Sequence, residues 1–600
     1  MLIAGVDIGN ATTEIVIAET SSPGGVGGEP PQPVAWDRRP TRGVKGSPQA
    51  AEAAARLLAR MERSLGRRCA HVLITPQCPA HTLTVSIDRA GEPTGRLVLL
   101  AAGSVTPAGQ GYVSGRPVDV EEDPHTFAAR FVPSDRPGFD PAVVLVARDP
   151  LGFRRTAHRV SSWLTAGVDV VGVLLAGDEA RLVAARLPQS PARSVPIVDG
   201  VDAEAALACL RVVVEVAPPG GVVATAIDGV RLVRDLQLDE AEHVHAAALA
   251  RQVRGQGAIA VGVALPSAGA AAAGSELGDD AEPARDALTF VDGTTVAWNG
   301  AVAALRGRPV GSLLAVRLPG GEPSPTRDLW VVDPAGEPLG GVLSGMREDA
   351  AAAQQVSLSL LSGDEAPRAW PAAFEAPGRR VEVVGSEPAA ARAGALTTPG
   401  ARADALVLDL GGGTIDLVAT GASSVTAAGS GELLTTAVAR TLGLSSGAAE
   451  WVKRGAAVRV ESAHVIADEA GGRHFRDRAA AAGTISRLVV AGPAGELPFG
   501  GALTPSQWRA IRIALLHAVF GENVRRVVAT VGGLGDPSTQ DGQPGVLGDR
   551  DVVLVGGPAG SDELPAVLAT ALRGATLGRA DVAGRLGHRW AVAYGLLLSS

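Results

Sequence analysis

The chain has 600 residues, too many for one hydrophobic core and enough for about four domains or lobes. Hydrophobic residues make up 46% and aromatics only 3%, so this globular, not disordered, chain must build its cores from small aliphatic side chains. The 54 Lys and Arg against 63 Asp and Glu give a net charge of −9, and no dense basic stripe interleaved with aromatics is present, which argues against a nucleic-acid partner. Cys69, Cys78 and Cys209 are an odd set without CxxC spacing. They read as buried thiols in a reducing cytoplasm, not as a disulfide framework or a zinc or iron–sulfur site. The start of the chain lacks a basic n-region, and no uncharged apolar run is long enough to span a bilayer, so a cytoplasmic protein with no membrane partner is expected.

In chain order, residues 2–8 and 13–19 read as antiparallel strands joined at a Gly-Asn turn. A Gly/Pro-rich loop at 21–33 precedes a helix at 48–66 and a strand at 71–75. From 91 to 260, strands at 142–147, 168–176 and 195–200 alternate with helical spacing near 156–166, which predicts a parallel sheet covered by helices. The stretch 267–286 has the low complexity of a flexible loop. Strands are expected at 288–298 and 328–333, a helix around 347–361, and a clear hairpin at 405–420. Helices follow at 432–442 and 506–521, then a polar loop at 534–549, a strand at 551–555 with the turn 556–560, and a closing amphipathic segment at 588–599. No short-period repeat is found, but the duplicated strand–acidic turn–strand suggests two lobes of related design.

Two segments carry chemistry. Asp7-Ile8-Gly9-Asn10 and Asp409-Leu410-Gly411-Gly412-Gly413-Thr414 each place an acid at a strand end before a glycine turn. Glycine lets backbone N–H groups approach a phosphate, and a carboxylate holds Mg²⁺ or its waters. Thr12, Thr13 and Thr414 could offer hydroxyls, and Asp416 follows the second turn. Either turn alone is an ordinary hairpin; their pairing across most of the chain requires a two-lobed fold. A third piece, Val555-Gly556-Gly557-Pro558, resembles the turn that lies against adenosine in actin-like and Hsp70-like ATPases. No GxxxxGK[ST] occurs, nor a GxGxxG that follows a strand and opens a helix. The expectation is an α/β, actin/Hsp70-like two-lobed ATPase core binding ATP or ADP with Mg²⁺. Water would attack the γ-phosphate in line, with Asp7 and Asp409 as catalytic residues that place Mg²⁺ and its waters.

GVDIGNATTE (5–14), RGVKG (42–46), VTPAGQG (105–111), VPIVDG (195–200), LTTPGARADALVLDLGGGTID (396–416) and RVESAHVIADEAGG (459–472) together resemble the large subunit of diol/glycerol dehydratase reactivase, nearly end to end. The resemblance implies an ATP-dependent chaperone for coenzyme B12-dependent diol or glycerol dehydratases. With Mg²⁺ and a small partner subunit, in a hetero-oligomer, it releases damaged cobalamin so that intact coenzyme can bind. It also implies an inserted α/β swiveling domain at 91–260, where Thr106, Asp178 and Asp199 would hold Mg²⁺ or Ca²⁺. The ATPase lobe would comprise 1–90 and continue through a connector at 261–400, with the second lobe at 401–600 carrying an insert around 450–505. Nucleotide contacts implied are Asn10, Ala11, Thr12, Gly429, Ser430, Gly431, Glu432, Gly557, Pro558 and Arg589.

Departures are the loops 21–33, 267–286 and 534–549, Gly411 to Gly413 where a Gly/Ala/Ser mixture is expected, and Pro558 in place of a small polar residue. No lysine is assigned as partner to Asp7; Lys45 in RGVKG is a candidate, set against the common case of a surface lysine. The alternatives are an actin-like small-molecule kinase, a hydantoinase/oxoprolinase-type hydrolase, and a non-enzymatic assembly protein. The hydrolases show D-I-G-G-T-x-T-D where this chain has Asn10-Ala11-Thr12-Thr13-Glu14, and no acceptor-directed base marks a kinase.

Overall fold

The computed structural model describes residues 1–20, 30–86, 96–102, 107–130, 142–148, 152–187, 195–218, 222–253, 256–264, 287–318, 322–333, 355–420, 423–493, 495–500, 503–533, 547 and 550–598. Two five-stranded sheets share one design. In the first, Leu2–Ile8 pairs antiparallel with Thr12–Glu19, which pairs with Gln32–Pro40; on its other side run His71–Ile74 and then Arg380–Val383, both parallel to it. In the second, Leu406–Leu410, Thr414–Val418 and Ser424–Ala428 form the antiparallel half, and Asp551–Val555 and Thr576–Arg579 the parallel half. The duplicated acidic hairpins are therefore the central strands of two equivalent sheets.

Local signals explain the covering elements. Helix Pro48–Leu65 starts where Ser47 accepts from the Ala50 amide and Pro48 presets the first turn; it stops at Gly66, which takes φ 67°. Its face of Ala50, Ala54, Leu57, Leu58 and Met61 is buried under the first sheet. The chain leaves that sheet at strand His81–Ser86, which joins an antiparallel sheet with Gln355–Ser362, Pro323–Val332, Leu313–Arg317, Leu288–Phe290 and Thr295–Val296. Trp330 and Phe290 of that sheet share a core with Leu406 and Ile415 of the second lobe and with Trp508 and Phe520. Short strands from Val458 to Phe499 make a separate antiparallel sheet.

Several expectations change. The helix expected at 347–361 is, over Gln355–Ser362, a strand; residues 347–354 lie outside the described residues. Val356-Ser357-Leu358-Ser359-Leu360 alternates with period two, and that pattern prevails. The strand at 288–298 is two short strands around an Asp292–Gly293 turn. The sheet expected to be parallel is mixed. Gly111–Asp119, Val143–Ala147, Val170–Leu175 and Ile197–Val198 run parallel, but Cys209–Val216, Ala258–Ala264 and Leu97–Ala102 add antiparallel strands. Only the short helix Ala203–Leu207 separates Val198 from Cys209, too little chain for a full crossover. The loop 267–286 lies outside the described residues, as do most of 21–33 and of 534–549. Among the described residues no helix is long and apolar enough to cross a membrane.

The closing segment is not amphipathic. Helix Ala591–Leu597 is buried on all sides and lies with helix Glu387–Ala395 between the two sheets, touching Ile3, Val16 and Leu73 on one side and Val407, Val553 and Val555 on the other. The backbones meet so closely that a Cβ on Gly595 would stand 1.8 Å from the Ala390 carbonyl oxygen, one on Gly394 2.0 Å from that of Ala591, and one on Gly5 1.9 Å from that of Ala593. Gly595→Ala is predicted to destabilise by about 1–3 kcal/mol through overpacking, although Ala is the better helix former by about 1 kcal/mol. Gly578→Ala, where a Cβ meets nothing within 4 Å, should change stability by less than about 0.5 kcal/mol. Denaturation midpoints compare the two, and equal midpoints would contradict this packing.

Candidate nucleotide site

The two acidic turns are closed in the same way. The Gly9 amide donates to the Thr12 carbonyl at 2.9 Å and the Gly411 amide to that of Thr414 at 3.0 Å. Strand register sets Asp7 opposite Glu14 and Asp409 opposite Asp416. The turns then meet. A Cβ on Gly412 would lie 2.8 Å from the amide nitrogen of Ala11, and one on Gly413 2.6 Å from Ala80 Cβ and 2.9 Å from Asn10 Cγ. That approach requires glycine at 412 and 413, where a mixture was expected; a Cβ on Gly411 would meet only Thr414 of its own turn.

Neighbouring segments lock the junction. Asn10 Nδ2 donates to the Ala80 carbonyl at 2.5 Å and to Glu432 Oε2 at 3.5 Å. The amides of Gly429 and Glu432 donate to the carbonyls of Gly413 and Gly412 at 2.8 and 2.7 Å, and Ser430 Oγ donates to that of Gly411 at 2.9 Å. Gly556 takes φ 86°, and a Cβ there would stand 2.6 Å from Asp409 Oδ1. Pro558 packs on Gly431. Arg589 Nη2 donates to the Gly557 carbonyl at 3.3 Å while Nη1 lies 3.7 Å from Glu14 Oε1. Among the hydroxyls, Thr12 donates to Glu14 at 3.3 Å, buried Thr13 faces Thr41 at 3.0 Å, and Thr414 donates to Asp416 at 3.0 Å.

Electrostatics corrects the reading of Lys45. It is 6% exposed, not a surface residue, and its Nζ lies 2.6 Å from Glu387 Oε2. Burial works against its charge, but Glu387, Asp7 and Asp416 together raise it above the ordinary lysine value. The acids respond oppositely. Burial, then Glu387 and Glu14, push Asp7 well above the usual carboxylate range, and Lys45 only partly offsets this. Asp409 is raised by burial, Asp416 and Glu387. Burial and Glu387 carry Asp416 to about 6, and burial carries Glu14 to about 7 against the pull of Arg589. Burial also raises Glu432, with the Asn10 bond opposing.

Glu387 escaped sequence reasoning because an acid after Ser386, in the first turn of a helix, reads as ordinary capping. Lys453 escaped too: its Nζ donates to the Gly431 carbonyl at 2.8 Å and to Thr435 Oγ1 at 2.7 Å, and it pairs with Glu450 at 2.6 Å. Among the described residues, no three His, Cys, Asp or Glu side chains converge as a ready metal cage.

The second group is placed less completely. Asp199, buried, follows strand Ile197–Val198; Asp178, exposed, follows strand Val170–Leu175. Those strands are parallel neighbours, so both acids lie at the same sheet edge. Thr106 lies outside the described residues, though nearby Ala108 bridges to Ile197.

Residues 328–600 match the family model described as diol dehydratase reactivase ATPase-like domain, and residues 99–268 the one described as DD-reactivating factor swiveling domain. The chain belongs to this reactivase family. This chain is 28% identical to the propanediol dehydratase-reactivating factor large subunit of Salmonella typhimurium strain LT2, covering 100% of this chain and 98% of the relative. Identity to the diol dehydratase-reactivating factor large subunit of Klebsiella michiganensis is likewise 28%, with the same coverage. A solved diol dehydratase-reactivating factor in nucleotide-free form superposes with a TM-score of 0.51 at 25% identity, over 100% of this chain and 99% of that one. This chain thus has the two-lobed actin-like ATPase fold with a swiveling domain expected from the sequence.

The raised acids make stability depend on pH. Glu14 goes from 4.5 unfolded to about 7 folded, and Asp416 from 3.8 to about 6. Folding favours their protonated forms, so their contribution is complete below the unfolded values and lost as pH rises through about 6 to 7. Without nucleotide, the unfolding midpoint is predicted to fall between about pH 5 and about pH 8. Glu14→Gln should flatten that slope by up to about 1.4 kcal/mol per pH unit; identical slopes in thermal unfolding would contradict the assignment.

Proposed function

We propose that the chain is the ATP-hydrolysing large subunit of a reactivating factor that frees damaged cobalamin from an inactivated coenzyme B12-dependent diol or glycerol dehydratase. What carries the reading is the meeting of the two acidic turns around buried Lys45, within a chain matched by both reactivase domain models.

In this reading the ATP phosphates lie between the turns, against the backbone of Asn10 to Thr12 and of Gly411 to Thr414. Asp7 and Asp409 order the attacking water and accept its hydrogen bonds, and Lys45 opposes the negative charge that develops on the γ-phosphate. The donor set fits a hydrated divalent ion. Four carboxylates (Asp7, Glu387, Asp409, Asp416) face one ammonium, yet they make no closed cage among the described residues, and Mg²⁺ keeps several waters and binds through few carboxylates and substrate phosphates. When bound, Mg²⁺ supplies the positive charge this cluster lacks. Glu432 accepts from ribose hydroxyls, the Gly429 to Gly431 backbone and Gly557-Pro558 line the nucleoside, and Arg589 pairs with phosphate or stacks on the base.

Thr106, Asp178 and Asp199 form a second divalent site, for Mg²⁺ or Ca²⁺, on the swiveling domain beside a small partner subunit. The assembly is a hetero-oligomer that engages the dehydratase. The kinase and hydrolase alternatives are not favoured, because the curated relatives are named as reactivating factors.

The test is to incubate the chain, a small subunit, Mg²⁺ and ATP with dehydratase inactivated by bound cyanocobalamin, then add intact coenzyme. Recovered dehydratase activity that depends on ATP is expected; no recovery would overturn the proposal.

A further inference from the structure

A buried polar chain stands behind the Ala428–Glu432 segment and touches none of the groups assigned to phosphate chemistry. Asp328 on strand Pro323–Val332 and Arg526 on helix Glu522–Gly533 pair at 2.7 Å, with both side chains 2% exposed. Asp328 Oδ2 also accepts from the Ala428 amide at 2.8 Å. Arg526 Nη1 donates to Asn523 Oδ1 at 3.0 Å, and Asn523 Nδ2 donates to the carbonyls of Ala428 at 2.7 Å and Gly429 at 3.1 Å. Asn523 is fully buried.

Topology explains what these bonds do. Ser424–Ala428 is the edge strand of its sheet, and an edge strand leaves outward N–H and C=O groups that must find partners when buried. Here two side chains meet them, at the point where the strand passes into the turn that starts helix Gly431–Leu442. An apolar pair of similar volume would join strand and helix without the desolvation penalty of a buried ion pair. Only a polar chain meets one amide and two carbonyls at fixed lengths.

A second observation points the same way. Helix Pro505–Leu516 passes into Glu522–Gly533 through a π-helical turn, His517–Gly521, a feature that concentrates at functional positions. The Ala518 carbonyl in that turn accepts from Trp330 Nε1 at 2.9 Å, and the Arg526 guanidinium lies 4.8 Å from the Trp330 ring centre. Gly429 takes φ 90°, and a Cβ there would be 3.1 Å from Trp330 Cβ. The turn is thus fixed from behind by Trp330 and from the side by Asn523 and Asp328.

We propose that Asp328, Asn523 and Arg526 are positioning residues for the nucleotide: they set the Ala428–Gly429 backbone, and through it the Ser430–Glu432 helix start that meets the sugar. The inference rests on the reading of Gly429–Glu432 as a nucleotide contact. Asn523→Asp keeps the side-chain volume and the contact to Arg526 but removes both donations to the carbonyls. The Kd for ADP with Mg²⁺, by titration calorimetry, and the KM for ATP should rise about 10-fold. The kcat should stay within about 2-fold, because Asp7, Asp409 and Lys45 are not moved. Arg526→Lys keeps a cation beside Asp328 but shortens the reach to Asn523, and about a 3-fold loss of affinity is expected.

Wild-type protein that binds no ADP would overturn the reading of the site, and this inference with it. If the wild type binds, a folded Asn523→Asp variant with unchanged Kd, or with kcat and kcat/KM falling equally, would overturn the positioning role alone. Should that variant not fold, unchanged binding by Arg526→Lys would overturn the positioning role in its place.

Discussion

Carboxylates buried around one ammonium cannot all be ionised at neutral pH unless more positive charge arrives. Asp7, Glu387, Asp409 and Asp416 share Lys45 in this position, while Glu14 lies by Arg589, and Asp7, Glu14, Asp409 and Asp416 are pushed upward with burial as the leading cause. The cluster therefore favours either protons or a cation. The acids come from the central hairpins of both sheets, so whatever satisfies the charge lies against both.

The rest of the fold holds the two turns at the distance this requires. Two helices packed through Gly394 and Gly595 lie between the sheets, and the first of them presents Glu387 at its N-terminal end to Lys45. Gly412 and Gly413 allow backbone contact where any Cβ would separate the turns. Behind them, the amides of Gly429 and Glu432 tie the glycine turn to the start of the next helix. Such backbone contacts leave less play than long side chains would.

The central strands were legible because acid, glycine and hydrophobic alternation occur together within a few residues at Asp7 and again at Asp409. Their likeness to a known family named the order of the pieces, and the second sheet repeats the first strand by strand. The pairing of Lys45, a candidate from its RGVKG segment, with Glu387 was not legible: they lie 342 residues apart in sequence, and neither carries a local mark that distinguishes it from a surface lysine or a helix cap. The same holds for Asp328 and Arg526, joined across 198 residues. The strand Gln355–Ser362 was missed where period-two alternation followed a stretch with helical composition. Strand direction in the swiveling domain was missed because composition reports burial and not the length of the return path.

The central claim is that the paired turns form a hydrolytic site, and the rate of Mg²⁺-dependent ATP hydrolysis by the wild type and by Asp409→Ala tests it most directly. Turnover by the wild type and a loss of at least about 100-fold in the folded variant are predicted. Full activity in Asp409→Ala, or no Mg²⁺-dependent turnover by the wild type with its small subunit, would contradict it.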